Sequence, residues 1–99
     1  MSETHGPEVI ETEGLSDWTR RDDALHATFG TGDFATGLRL VTLIGESAEA
    51  MDHHPDLDLR YPEVTVRLTS HDSGGVTERD LRLARLASEH AAGLGVHPA

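Results

Sequence analysis

The chain has 99 residues and no cysteine, and its 8 Lys and Arg against 18 Asp and Glu give a formal charge of −10 with neutral histidines. A surface that acidic repels phosphate backbones and anionic lipid, which sets aside nucleic-acid and membrane-surface binding, and the missing thiols set aside disulfides, thiolate metal sites and cysteine nucleophiles. The length suits a single domain spanning 1–99, but a hydrophobic fraction of 36% with one Trp, one Tyr and two Phe gives it a thin core, so a homo-oligomer, dimer or tetramer, is expected. No apolar run approaches the roughly 20 residues of a membrane-spanning helix, and no signal peptide is read, so the cytoplasm is the expected compartment.

Residues 1–6 read as a loose tail. Pro7 to about Glu13 suits a short helix, opened by proline and ended by Gly14. Trp18 to Arg21 and Leu25 to Thr31 read as two strands joined at Asp22-Asp23. In the second, Leu25, Ala27 and Phe29 alternate with His26 and Thr28, the period of a half-buried strand. Asp33 is placed to cap a long helix reaching about Asp52. On it Phe34, Gly37, Leu38, Val41, Ile44, Gly45 and Ala48 share one arc, with Leu40 and Met51 on its edge. Leu43 falls opposite, among polar residues, and with Leu40 marks a candidate subunit contact.

Pro55 is expected to stop that helix by holding His54 extended. Leu57, Leu59 and Tyr61 alternate with Asp58 and Arg60 in a third strand, and Val64, Val66 and Leu68 alternate with Thr65, Arg67 and Thr69 in a fourth. Opposite charges on their polar sides are set to pair across the hairpin. Thr77-Glu78-Arg79-Asp80 has the form of a capping box opening a last helix with Leu81, Ala84, Ala87 and Ala91 on one face. Gly93 and Gly95 end it, and residues 96–99 read as a second loose tail. The order α-β-β-α-β-β-α predicts an α+β fold, a four-stranded antiparallel sheet covered on one face by helices.

Chemistry concentrates between Glu49 and Asp80, where three of the seven histidines, His53, His54 and His71, stand among acids. Imidazole moves protons near neutral pH, so the cluster suggests proton transfer or a metal. Neighbouring side chains on an extended segment point apart, so His53 and His54 are poorly placed to grip one ion, and no spacing here matches a zinc signature. Each residue also has a plain reading. His54-Pro55 can be a helix stop, His71 a loop residue, Asp80 a capping-box acid, and Glu49 and Asp52 solvated helix acids. Asp52 alone sits unfavourably, an acid against the helix C-terminal dipole.

Taken together, Glu49-x3-His53-His54-Pro55-x5-Tyr61-x9-His71-x8-Asp80 resembles the signature of the pterin-4a-carbinolamine dehydratases. Trp18, Phe29, Asp33-Phe34 and Gly74-Gly75-Val76-Thr77 extend the likeness from about Trp18 to Leu86, although Leu57 stands where many members carry Trp. The resemblance implies a cofactor-free enzyme that dehydrates 4a-hydroxytetrahydrobiopterin to quinonoid dihydropterin. It makes His53 and His71 the acid–base residues and His54 mainly a pterin contact. Asp80 would support His71, and Glu49 and Asp52 would border the site. Two other readings stay open: a non-catalytic dimerisation module of the same fold, and a three-histidine metal protein.

Overall fold

The computed structural model describes residues 15–99, with His71 described by its backbone alone; the helix expected over Pro7 to Glu13 lies outside these residues. Alternation of apolar and polar residues builds the sheet. Strand β1 (Thr19–Arg21) turns back into β2 (Ala24–Gly30) through Asp22 and Asp23, both left-handed at φ 54° and 59°. Aspartate tolerates that conformation, and a turn with both central residues left-handed follows the natural twist of a hairpin. After the long helix α1 (Phe34–Met51) come β3 (Asp56–Arg60) and β4 (Glu63–Leu68), and β4 inserts between β3 and β2. The strand order is β1-β2-β4-β3, antiparallel throughout.

Register stacks the apolar positions. Phe29, Val64 and Leu59 lie side by side across three strands, and so do Ala27, Val66 and Leu57. Trp18 closes one end, its ring edge-on to Phe29 at 6.2 Å and its indole N–H donating to Ser88 Oγ at 2.9 Å. The opposite face is polar: Arg67 meets Asp56 at 3.2 Å across the β3–β4 hairpin, the cross-strand pairing expected from the sequence. The helices α1 and α2 (Glu78–Gly93) cover the apolar face.

The face α1 buries is rotated from the one its apolar arc suggests. Gly37, Leu40, Ile44 and Ala48 are buried, whereas Phe34 and Leu38 are 49% and 51% exposed. The cause is α2, which packs on the Leu40 flank and is tied there by a Ser47 Oγ–His90 Nε2 hydrogen bond of 2.8 Å. Leu40 is therefore core, which takes it out of the candidate subunit contact, and Leu43 is half-buried. The C-terminus is corrected as well. Gly95 turns the chain at φ +72°, Val96 is buried, and a fifth strand, β5 (His97–Pro98), pairs with Gly30 and Phe29 beyond the end of β1. A two-residue strand is too short for alternation to reveal it; burial of Val96 holds it in place.

Candidate active site

The His pair is delivered by the way α1 ends. Asp33 starts the helix, its Oδ1 accepting the Thr36 N–H at 2.7 Å, and eighteen residues later Met51 is its last. Asp52 then takes the left-handed conformation, φ 52° and ψ 43°, and its N–H returns to the carbonyls of Ala48 and Glu49. His53 N–H also donates to Ala48 O, at 3.1 Å. The stop therefore precedes Pro55 by three residues. Asp52 owes its place to backbone conformation, since a short polar side chain is one of the few tolerated there.

Beyond that cap the backbone is extended and the two imidazoles diverge. His53 turns inward, its side chain 8% exposed, and its Nε2 lies 2.6 Å from Oδ1 of the fully buried Asp80. The other carboxylate oxygen, Oδ2, accepts the Ser70 hydroxyl at 2.7 Å and the Thr77 backbone N–H at 2.9 Å. A buried carboxylate is costly unless donors surround it, and here three converge. The bond from Thr77 N–H is the capping-box bond read from the sequence, so capping and site chemistry share one residue. With a carboxylate as its partner, Nε2 of a neutral His53 carries the proton and donates it to Asp80. Nδ1 takes no hydrogen bond from the described residues.

His54 points to the exposed side, where its Nε2 donates to Glu49 Oε2 at 2.5 Å. The two line an open groove of about 580 Å³ between α1 and β3, with Thr42, Gly45, Glu46, Ala48, Pro55 and Leu57. Leu57 and Pro55 give it an apolar wall, and the carboxylates of Glu46 and Glu49 supply acceptors. Asp52 does not line it.

The 3₁₀ turn His71–Ser73 carries His71 at its first position; the His71 side chain lies outside the described residues. The turn is closed by reciprocal backbone bonds between Ser70 and Gly75 and by Ser73 N–H to Ser70 O. Asp72 within it meets Arg79 of α2 at 2.7 Å, and that hydrogen bond holds the Asp72 carboxyl below the usual range and raises Arg79. Among the described side chains, the histidine that meets Asp80 is His53. Tyr61 is 73% exposed at the β3–β4 turn. One participant was missed, Ser70. Ser70 carried a signal, since alternation from Val64 through Val66 and Leu68 puts a hydroxyl on the buried face. Among the described residues no three His, Cys, Asp or Glu side chains gather so as to hold a metal ion, and no helix is long and apolar enough to cross a membrane.

The chain is similar to several known proteins. A relative from Koribacter versatilis is 36% identical over 100 residues, covering 99% of this chain and all of its own. One from Mycobacterium sp. (strain KMS) is 44% identical over 75 residues, covering 76% of this chain and 80% of its own. Both are provisionally named pterin-4-alpha-carbinolamine dehydratases. In structure the chain is similar to a transcriptional coactivator/pterin dehydratase from Brucella melitensis, with a TM-score of 0.82 and 29% identity over 90% of this chain and 99% of that one. The family model for pterin 4 alpha carbinolamine dehydratase matches residues 2–90, most of the sequence, and the chain belongs to that family.

Proposed function

We propose that the protein dehydrates 4a-hydroxytetrahydrobiopterin, or a close pterin analogue, to the quinonoid dihydropterin and water by histidine acid–base catalysis. The observation that supports this most is the buried His53–Asp80 pair, in which His53 Nδ1 has no partner among the described residues and can exchange a proton. The reaction breaks the bond between C4a and its hydroxyl oxygen. That oxygen must gain a proton to leave as water, and a ring N–H must lose one, so charge and electrons balance without a redox partner. A positioned imidazole serves either transfer and typically contributes about 10²- to 10⁴-fold. In this reading His53 carries one transfer and His71 the other. His54, with Glu49, holds the pterin in the groove beside α1, where carboxylate acceptors suit the N–H-rich edge of an aminopyrimidinone. No cofactor takes part.

The test is the rate of dehydration of freshly generated 4a-hydroxytetrahydropterin. A catalytic acceleration over buffer supports the proposal; a rate equal to buffer at micromolar protein refutes it. A second reading, a binding module without catalysis, is favoured only by the coactivator half of the Brucella melitensis protein's description. A buried His53–Asp80 pair with Nδ1 left open among the described residues is more than that role requires. The half-exposed Phe34 and Leu38 support assembly of this chain with itself, and sedimentation of a 10.7 kDa monomer at micromolar concentration would contradict it.

A further inference from the structure

Ser70 is 1% exposed and its backbone is fixed on both sides, its N–H and C=O both bonded to Gly75. The hydroxyl adds something that packing does not explain. It donates its single proton to Asp80 Oδ2 at 2.7 Å, so the 2.8 Å contact between Ser70 Oγ and Thr77 Oγ1 must be a donation from Thr77. A line of donors thus runs from Thr77 O–H through Ser70 O–H to the carboxylate. Its effect is to make the two oxygens of Asp80 unequal. Oδ2 is occupied by two donors, and among the described residues Oδ1 faces only His53.

We propose that Ser70 is a positioning residue. By filling Oδ2 it fixes the rotation of the Asp80 carboxylate, which holds neutral His53 as the Nε2–H tautomer and leaves Nδ1 as the atom that exchanges protons with substrate. Thr77 assists by orienting the Ser70 hydroxyl. The catalytic consequence rests on the dehydratase reading above; the tautomer consequence does not. With Ser70 reduced to alanine, Thr77 N–H alone holds Oδ2, the carboxylate can rotate, and His53 loses its single preferred tautomer.

The experiment reads the two consequences separately. Long-range ¹H–¹⁵N spectra of uniformly labelled protein identify the neutral tautomer of each histidine. Wild-type His53 should be Nε2–H alone. Ser70→Ala should give a mixture, and its kcat for dehydration should fall about 10- to 100-fold, the range seen when outer hydrogen-bond partners of functional groups are removed, with KM changed less than about twofold. Ser70→Thr, which keeps the hydroxyl, should restore both. An Nδ1–H tautomer in the wild-type protein overturns the proposal without any variant. So does a single Nε2–H tautomer in Ser70→Ala with kcat within about twofold of wild type. If the tautomers behave as described but wild-type protein does not accelerate dehydration, the positioning role stands and the dehydratase reading falls.

Discussion

Replacing Asp80 by asparagine is the perturbation that best separates a helix cap from a working site. The asparagine side chain would keep one oxygen, and Thr77 N–H, which can only donate, would claim it, with Ser70 O–H beside it. The amide NH₂ is then left facing His53 Nε2, which must accept. A neutral His53 would thereby be driven to the Nδ1–H tautomer, which reverses the proton state of the atom assigned to exchange with substrate. Stability changes less. Bonds to a charged acceptor, about 1.5–3 kcal/mol each, become neutral ones of about 0.5–1.5 kcal/mol. Relief of the buried charge offsets part of this, leaving a net loss of about 1–2 kcal/mol. In a chain of this size each kcal/mol shifts the melting midpoint by about 4–8 °C, so the variant should be folded at room temperature. Turnover should fall about 10²-fold or more, since the wrong tautomer removes one acid–base contribution. The assay is kcat and KM for dehydration, paired with a thermal melt. If Asp80 merely caps α2, stability should drop by a few tenths to about 1 kcal/mol with turnover nearly intact. A folded Asp80→Asn variant with kcat within about threefold of wild type would refute the reasoning.

Other outcomes follow from the same structure. His53→Ala and Asp80→Asn should be non-additive in kcat, because a pair acting as one unit is lost with either member; additive losses in the double mutant would break the pairing. His54→Ala should raise KM more than it lowers kcat, as expected of a residue lining the groove with Glu49, and steady-state kinetics at varied pterin concentration measures the split. Gly45→Ala should stabilise the protein by about 0.5–1 kcal/mol, since nothing lies within 4 Å of the new methyl. At Gly37 the same change should gain less or lose, because its Cβ would fall 2.8 Å from Leu59 Cδ1; comparing the two melting midpoints decides this. The Thr36 N–H holds the Asp33 carboxyl below the usual range, so its contribution to stability is present above the unfolded value and disappears as pH falls through the lowered one. The stability difference between wild type and Asp33→Asn should accordingly change over that acidic window and be constant at neutral pH.

What could be read from the sequence was set by periodicity. Strands β2 to β4 and both helices carry clean alternation or a clean arc, and their limits fall within a residue or two of those expected. The side of α1 that is buried was not legible, because a wide apolar arc permits several rotations and the choice is made by α2 through Ser47 and His90. The short β5 was invisible for want of length. At the site, the divergence of His53 and His54 was legible from strand geometry, and the capping box from Thr77 and Asp80. The contact between His53 and Asp80 was not. Spacing along the chain relates Asp80 to His71 as readily as to His53, and only the left-handed cap at Asp52 turns His53 inward to meet it. That cap also accounts for an acid at a helix C-terminus, which looked unfavourable when judged by the dipole alone.

The central claim is that proton transfer at His53, supported by Asp80, drives loss of water from a 4a-hydroxypterin. The most direct measurement is kcat for wild-type and His53→Ala protein on 4a-hydroxytetrahydrobiopterin, both purified without a histidine tag and exhaustively treated with EDTA. Wild type should turn over at the same rate before and after chelation, and the variant should lose about 10²- to 10⁴-fold in kcat with a much smaller change in KM. A near-normal kcat in folded His53→Ala, or wild-type activity abolished by EDTA and restored by zinc, would contradict it.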